Sequence, residues 1–315
     1  MKPVKYLCFL LFPIAISFIA CKKSGTSGSS DATVYVSGYT GTQGLGQGAY
    51  WTNDSLHLAP GITQYTGVAF ANSNLYLLDD IGYWINGSYT ALPYVINTFT
   101  KSIVVNGSDI YIVGNNSTSN STATAAAIYW KNGQEVDLTQ NISNVTNAFT
   151  TSLFVAGTDV YTAGYLGVNY GNGQGVYWKN DSLVYLPDCY IPVAIGVAGN
   201  TVYVAGQSLT HGIAYWVNGQ ETLLSGIPAY VNAMAVSGND VYIAGYTAYG
   251  PNQACYWKNG QLDTLTDGSS ATGIAVSGND VYVCGNGGSN DAVYWKNGVI
   301  HILGNGGATG IAVGQ

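Results

Sequence analysis

The sequence lacks arginine and carries few charges of either sign. All nine basic residues are lysine, sixteen residues are acidic, and charged residues make up 8% of the 315. The formal net charge is −7. Because lysine and arginine supply most protein contacts to phosphate groups, and because an acidic surface repels polyanions, the composition excludes nucleic acid as a favoured partner.

Cysteine is also scarce. Cys8 and Cys21 lie near the N-terminus, and the other three thiols, Cys189, Cys255 and Cys284, follow no regular spacing. An exported protein with an odd number of irregularly spaced cysteines has no disulfide framework. We therefore expect these three residues to be structural thiols.

Long apolar runs are absent except for one stretch, residues 6–20, which follows Lys2 and Lys5. Because this run is short for a membrane span, the pattern predicts a targeting segment. It ends in Phe18-Ile19-Ala20-Cys21, which resembles a bacterial lipoprotein signal. The resemblance implies removal of residues 1–20 and lipidation of Cys21. An ordinary secretory signal is the alternative, because Phe18 stands where leucine is usual.

Residues 21–30 are rich in serine and glycine, which predicts a flexible tether. Loss of Lys2 and Lys5 leaves seven lysines against sixteen carboxylates, a side-chain charge of 7 − 16 = −9. We expect a protein anchored by lipid in the cell envelope, at the outer membrane, and either periplasmic or surface-exposed. Its lipid would be its one contact with the membrane.

Tryptophan occurs only directly after tyrosine, which marks a repeat. The spacing between successive tryptophans runs from 33 residues (Trp51 to Trp84) to 48 residues (Trp130 to Trp178), near the ~40 to 50 residues of a four-stranded propeller blade. We expect packing roles for all seven pairs, because a residue that occurs in every repeat seldom has a catalytic role. The pairs end at Trp51, Trp84, Trp130, Trp178, Trp216, Trp257 and Trp295.

The clearest repeat, residues 272–303, contains four short β-type runs separated by turn residues. We call these runs strands A to D. Strand A alternates large residues with small ones, which predicts close packing around an axis. An Asn-Gly or Asn-Asp pair separates strands C and D in every repeat, as expected of a two-residue hairpin turn. The small strand A residues are Gly67, Ser102, Ser152, Ala194, Ala233, Gly273 and Gly310.

Residues 31–315 therefore predict an all-β domain, a seven-bladed β-propeller of four-stranded antiparallel blades. The chain starts at a B strand, residues 33–38, and finishes with an A strand, residues 309–313. We expect a ring closed by the C-terminal strand completing blade 1, because closure removes open sheet edges. The Tyr-then-Gly pattern of strand B, as in residues 281–285, resembles kelch and related bacterial propeller repeats. The resemblance implies a scaffold that hosts binding proteins, lectins or enzymes.

Variable residues point to one face of the predicted ring. The B to C loops and D to A connections share this face, and loops on a rigid scaffold are the usual place for recognition. Aromatic rings and amides there suit sugars, although tyrosine and asparagine are abundant throughout the sequence. Lys101, near the channel mouth, would anchor a carboxylate. The predicted ligand-binding residues are Tyr39, Asp80, Lys101, Asn115, Tyr165, Gln207, His211, Tyr246 and Asn286.

Catalytic and metal-binding patterns are thin. His211 is a lone histidine on the variable face, and Asp79 and Asp80 are neighbours that point apart in an extended chain, which predicts a solvated turn. Solvated turns also explain Lys131, Lys179, Lys258 and Lys296, and His57 and His301 are expected at exposed outer edges. The missing arginine argues against a sialidase, a propeller enzyme that clamps its substrate with several arginines. We expect no cofactor, no metal and no catalytic residue.

The sequence thus favours an envelope-anchored, monomeric and non-catalytic binding or scaffold protein. Its partner would be a glycan or another envelope protein. The alternative is an enzyme acting on polysaccharide or peptidoglycan fragments through Asp79, Asp80 and His211. A purely structural repeat protein is the third possibility.

Overall fold

The computed structural model describes residues 32–93, 99–117, 125–140, 142, 145, 147–167, 173–224 and 227–314. Every regular element in these ranges is a β-strand. The predicted signal peptide, the tether and the lipidation site Cys21 lie outside the described residues and remain predictions. The strands belong to one compact unit and form six antiparallel sheets.

Five of the sheets are four-stranded, and each is built from four consecutive strands. They are β4–β7 (Gly67–Ala71, Asn74–Leu78, Gly82–Ile85, Ser88–Ala91), β8–β11 (Phe99–Asn106, Asp109–Ser117, Ala125–Lys131, Gln134–Asp137), β12–β15 (Ala148–Ala156, Asp159–Leu166, Gln174–Lys179, Ser182–Tyr185), β16–β19 (Cys189–Ala198, Thr201–Ser208, Gly212–Val217, Gln220–Leu223) and β20–β23 (Ala229–Ser237, Asp240–Thr247, Gln253–Lys258, Gln261–Thr264).

The sixth sheet has seven strands in the order β24-β25-β26-β27-β1-β2-β3. They are β24 to β27 (Gly268–Ser277, Asp280–Gly287, Asp291–Lys296, Val299–Gly314) and β1 to β3 (Thr33–Thr40, Gln47–Thr52, Ser55–Ala59). The molecule is therefore an all-β propeller with five four-stranded blades, and the prediction of seven such blades is wrong.

The continuous strand β27 explains the difference. Its first part pairs with β26 as far as Asn305, and its second part, from Gly306, pairs with β1. The sequence predicts two separate strands, one ending at residue 303 and the next beginning at residue 309, with glycine-rich residues between them. Here Gly304 and Gly306 have φ values of 112° and 146°, so the glycines bend a strand that does not stop.

Asparagine sets the hairpin turns between the third and fourth strands of each repeat. The turn asparagines have φ values of 47–52°, and each accepts a hydrogen bond from the main-chain N–H at the second strand, as Asn297 does from Val281 at 2.8 Å. The turns are Asn53, Asn86, Asn132, Asn180, Asn218, Asn259 and Asn297. The local Asn-Gly signal was therefore sufficient to place these hairpins.

The lysines beside these turns are more than solvated. Lys258 lies 2.8 Å from Asp240 and 5.1 Å from the ring centroid of Tyr242. The same arrangement recurs for Lys131, Lys179 and Lys296, at 2.8 to 3.5 Å from an aspartate. Hydrogen bonding to Lys258 and Asn259 lowers the pKa of Asp240. Lys131, Lys179 and Lys258 are exposed, as expected of solvated turns, and the pairing with an aspartate is an addition to that expectation.

The core lies between neighbouring sheets and contains the repeated tryptophans. Trp51, Trp130, Trp178, Trp216, Trp257 and Trp295 are fully buried, whereas Trp84 is half-buried. Two of the indoles donate to a carbonyl in the connection that enters their own sheet: Trp216 to Pro187 at 2.8 Å and Trp295 to Thr266 at 3.0 Å. The predicted packing role of these tryptophans is confirmed for the six buried residues.

Candidate functional site

The inner strands of the sheets line a central channel with a cavity of about 330 Å³. Its wall is formed by residues 66–68, 101–104, 151–154, 193–195, 232–234, 272–274 and 309–311. These segments come from the start of the inner strands, on the side that carries the B to C loops and the D to A connections. We call this side the loop face and the opposite side the turn face.

A β-bulge at the channel mouth recurs in the inner strands. Pairing skips one residue in β8, β12, β16, β20, β24 and β27, while Thr66 occupies the matching place directly before β4. A bulge re-aims a side chain, and all of these residues line the channel. We call them the bulge ring: Thr66, Lys101, Thr151, Val193, Asn232, Thr272 and Thr309.

The bulges explain the glycine that ends strand B in most repeats. A Cβ atom on Gly114 or Gly245 would overlap the carbonyl oxygen of Phe99 or Tyr230 on the paired inner strand. Asp79 replaces this glycine in the sheet β4–β7. The replacement is tolerated because β4 begins at Gly67 and pairs no residue beyond Leu78.

Most polar members of the bulge ring bind protein groups. Thr272 Oγ1 donates to the carbonyl of Ala308 and Thr309 Oγ1 donates to that of Tyr65, both at 2.7 Å. Asn232 Nδ2 donates to the carbonyl of Ala271, also at 2.7 Å. Each bond joins an inner strand to the next inner strand or, at Tyr65, to the segment that leads into it, so these side chains hold the ring together.

Lys101 departs from this pattern. Its side chain is exposed, and within the described part of the chain no carboxylate pairs with it, whereas the other four described lysines each pair with an aspartate. The position thus places an ammonium group in the channel mouth where the ring elsewhere has mostly threonine or asparagine. The structure therefore confirms the predicted position of Lys101 near the channel mouth.

Aromatic side chains stand above the bulge ring on the loop face. Phe99 is 54% exposed, and the stacked pair Tyr230 and Tyr246 has ring centroids 5.0 Å apart. A second cross-strand pair, Phe149 and Tyr165, also has a centroid distance of 5.0 Å. Burial, and to a lesser extent Tyr230, raises the pKa of Tyr246. The loop face therefore carries partly exposed aromatic rings.

The two faces differ in their exposed apolar residues. Several lie in loops of the loop face: Leu45, Ile81, Leu209, Ile227 and Tyr249. The others lie in strands, chiefly the outermost ones, and among the described residues none of the large exposed hydrophobic side chains belongs to a turn of the turn face. The loop face is therefore the more apolar one.

The remaining predicted residues lie beside the channel rather than in it. Tyr39 packs on Gly307, and burial raises the pKa of its phenol. Asn115 binds the main chain of Thr150, accepting from its N–H at 2.7 Å, which is a structural role. Gln207 lies opposite Ile191 in the pairing of β17 with β16. The buried Oδ1 of Asn286 has no hydrogen-bond partner in the described structure.

Asp79 and Asp80 have different environments. Asp79 is buried, and its carboxylate accepts hydrogen bonds from the N–H groups of Ile81 and Gly82 and from the indole of Trp84, at 2.7 to 3.1 Å. The expectation of a solvated turn is wrong for Asp79. Burial, and then the charge of Asp79, raises the pKa of Asp80.

His211 lies away from the channel. Its Nδ1 is 2.8 Å from Thr210 Oγ1 and 3.6 Å from Glu221 Oε2, and Glu221 belongs to β19, the outermost strand of its sheet. Asp79 and Asp80 lie in the loop between β5 and β6, whereas His211 lies in the loop between β17 and β18, so the residues of the predicted enzyme alternative come from two different blades. His57, on the outermost strand β3, stacks on Tyr50, and His301, in the first part of β27, stacks on Tyr294.

Sequence reasoning missed the threonines of the bulge ring. The available signal was a Thr or Asn directly before the small strand A residue, as in Thr66-Gly67 and Thr272-Gly273. Among the described residues no three His, Cys, Asp or Glu side chains are grouped to hold a metal ion, and no helix is long and apolar enough to cross a bilayer.

Comparison with known proteins gives only distant likenesses. No protein-family model matches the sequence, and no curated protein matches it. Among solved structures, an extracellular domain from B. thetaiotaomicron is 10% identical with a TM-score of 0.42; the match covers 85% of this chain and 44% of that one. The chain thus spans less than half of that domain.

Two further solved structures are similar over most of their length. Apo AztD from Citrobacter koseri is 9% identical with a TM-score of 0.47, covering 90% of this chain and 97% of that one. A thermostable family-43 glycoside hydrolase is 12% identical with a TM-score of 0.38, covering 76% and 92%. Likenesses this distant assign no ligand or activity, so the propeller architecture rests on the sheets themselves.

Proposed function

We propose that this chain is a non-catalytic binding protein of the cell envelope that recognises a glycan through its loop face. One observation carries the proposal: partly exposed aromatic rings surround a channel mouth that also holds Lys101, whose ammonium pairs with no carboxylate among the described residues. The turn face instead carries repeated asparagine turns and Lys–Asp pairs, which serve the fold.

The chemistry of the mouth suits a sugar. The C–H face of a sugar ring stacks on aromatic side chains, and Phe99 and Tyr230 are 54% and 44% exposed. Sugar hydroxyls need acceptors, and a threonine hydroxyl that donates to a carbonyl keeps lone pairs free to accept. The cavity of about 330 Å³ lies at the lower end of the range of ligand pockets.

An envelope location is part of the proposal and is supported by the sequence. The apolar run of residues 6–20 and the segment ending at Cys21 have the form of a lipoprotein signal, and residues 21–30 would tether the propeller. A glycan-binding domain held in this way would meet envelope or extracellular polysaccharide.

A glycan array tests the proposal directly. We expect the purified protein to bind a subset of glycans, and Tyr246→Ala, Tyr165→Ala and Lys101→Ala to weaken that binding. Tyr185→Ala is the matched control, because Tyr185 is 58% exposed on the outer strand β15. If Tyr185→Ala weakens glycan binding and the three loop-face variants do not, the binding site lies outside the loop face. An envelope protein captured through the same residues, with no glycan bound, would replace the glycan with a protein partner.

A further inference from the structure

We infer that the channel mouth selects a sugar carrying a single negative charge, held between Lys101 and Phe99. The inference rests on the proposed glycan-binding function and specifies its ligand class. The shared chemistry is one anionic group on a sugar ring, supplied by a carboxylate or by a sulfate ester.

The first step is the position of Lys101 in the bulge ring. Asn232, Thr272 and Thr309 use their hydrogen-bond donors to join neighbouring inner strands, at 2.7 Å in each case. Lys101 contributes no such bond, and no described aspartate or glutamate neutralises it. A lysine here therefore gives up one structural contact of the ring and presents a cation to the channel.

The second step concerns the side chains of β8 that are exposed to solvent. Phe99 and Lys101 are exposed, and Thr100 between them is buried. Thr100 Oγ1 donates to the carbonyl of Asp79 at 2.5 Å, which fixes this part of the strand against the sheet β4–β7. Phe99 and Lys101 are thus both exposed on a single strand, and two residues along a strand separate their Cα atoms by about 7 Å.

The third step is the rest of the channel wall. Because the donors of Asn232, Thr272 and Thr309 are already used, the atoms left to a ligand are acceptors: the hydroxyl lone pairs and the amide oxygen. Acceptors match the hydroxyl groups of a sugar. The mouth therefore combines an apolar platform, one cation and several acceptors.

The charge balance limits the ligand to one negative charge. The chain has a formal net charge of −7 and no arginine, so Lys101 faces an anion within a negative field. A carboxylate or sulfate ester is neutralised one to one by this ammonium. A phosphate ester carries about −1.5 to −2 charges at pH 7 and would leave excess negative charge at the site.

Lysine NMR tests the inference at the residue itself. The chain contains nine lysines, so ¹³C-lysine labelling of the purified protein gives few Cε signals, and Lys101→Met identifies the one from Lys101. We expect D-glucuronate or glucose 6-sulfate to shift this signal saturably, with the signals of Lys131, Lys179, Lys258 and Lys296 unmoved. D-glucose and glucose 6-phosphate should bind at least about tenfold more weakly. Comparison of D-glucuronate with glucose 6-sulfate shows whether the site prefers a carboxylate or a sulfate ester.

Variants complete the test. Lys101→Met and Phe99→Ala should each weaken binding of the acidic sugar at least about tenfold, while Lys179→Met, with the same change in net charge, and Tyr185→Ala should leave it unchanged. Equal affinity for glucose and glucuronate, tighter binding of glucose 6-phosphate, or acidic-sugar binding that Lys101→Met does not alter would overturn the inference. Neutral glycans bound on the array together with an unmoved Lys101 signal would overturn it and leave the proposed function standing. If no glycan binds on the array, the proposed function itself fails.

Discussion

Thr272 Oγ1 donates a 2.7 Å hydrogen bond to the carbonyl oxygen of Ala308, joining the inner strand β24 to its neighbour β27. The two strands belong to the same seven-stranded sheet but do not pair with each other, so this side-chain bond links them directly at the channel. The same position carries Lys101 in β8, where the side chain is exposed instead. One repeat position therefore holds a strand-linking hydrogen bond in some sheets and an exposed lysine in another.

Removing the hydroxyl of Thr272 should destabilise the propeller. We expect Thr272→Val to lower the free energy of unfolding by about 1 kcal/mol, because a net hydrogen bond is lost and the carbonyl of Ala308 loses a partner. Urea denaturation measures the change. Thr264→Val, an exposed threonine on the outer strand β23, is the control and should change stability little. Equal effects of the two variants would contradict the role of the bond.

Gly245 should not tolerate a side chain. Its Cβ would overlap the carbonyl oxygen of Tyr230, so Gly245→Ala forces the paired strands apart, at a cost typical of overpacking, about 1 to 3 kcal/mol. The midpoint of thermal unfolding should fall accordingly. Gly288→Ala is the control, because its Cβ would meet only the carbonyl of Asp267, at 3.8 Å. A Gly245→Ala protein as stable as the parent would show that the bulge is not rigid.

Acid should weaken the Lys–Asp pairs of the turn face. The hydrogen bond from Lys258 lowers the pKa of Asp240 below its ordinary value of 3.8. The folded state therefore favours the ionised carboxylate, and the stabilisation is complete above pH 3.8 and is lost as the pH falls through the lowered pKa. Asp240→Asn should make thermal unfolding less dependent on pH below 3.8. Parallel curves for parent and variant in that range would refute the linkage.

The three structural thiols should be inert in the folded protein. Burial raises the pKa of Cys255 and of Cys284 to about 12 and also raises that of Cys189. Because the thiolate is the reactive form, a disulfide reagent at pH 8 should leave them unmodified until the protein unfolds. Spectrophotometric thiol titration with and without denaturant compares the two states. Rapid reaction of Cys189 under native conditions would mean that its pocket opens.

Lipidation of Cys21 remains a prediction from the sequence, and cell fractionation tests it. We expect the parent protein in the membrane fraction and Cys21→Ser in the soluble fraction, because a single serine cannot accept the lipid that a lipoprotein cysteine carries. Cys8→Ser, within the predicted leader, is the control and should not alter the distribution. Membrane retention of Cys21→Ser would favour a different anchor.

Local signals were sufficient for much of the fold but not for the sheet organisation. Asn297-Gly298 specified a hairpin because the positive φ of asparagine depends only on the turn. The glycines near Gly306 carried the same local signal but lie within β27, since pairing with β1 decides their conformation. Strand register is a tertiary property, and no short sequence window contains it.

The candidate site shows the same limit. Lys101 was recognisable from sequence because it departs from the turn lysines. The ring that surrounds it was not, because a bulge exists only relative to the paired strand: Lys101 is skipped between the pairs Thr100–Gly114 and Ser102–Val113. His211 lies beside Glu221 on an outermost strand and not at the channel, and its predicted binding role stays a prediction.

The pairing of β1 with the second part of β27 also orders events during synthesis. Ser37 lies opposite Gly310, so one edge of β1 has no native partner until residues 306–314 have been made. An unpaired strand edge is prone to associate with other chains, and contacts this distant in sequence form slowly. We therefore expect the nascent protein to be most vulnerable to aggregation and proteolysis just before residues 306–314 emerge, and to need protection until that moment.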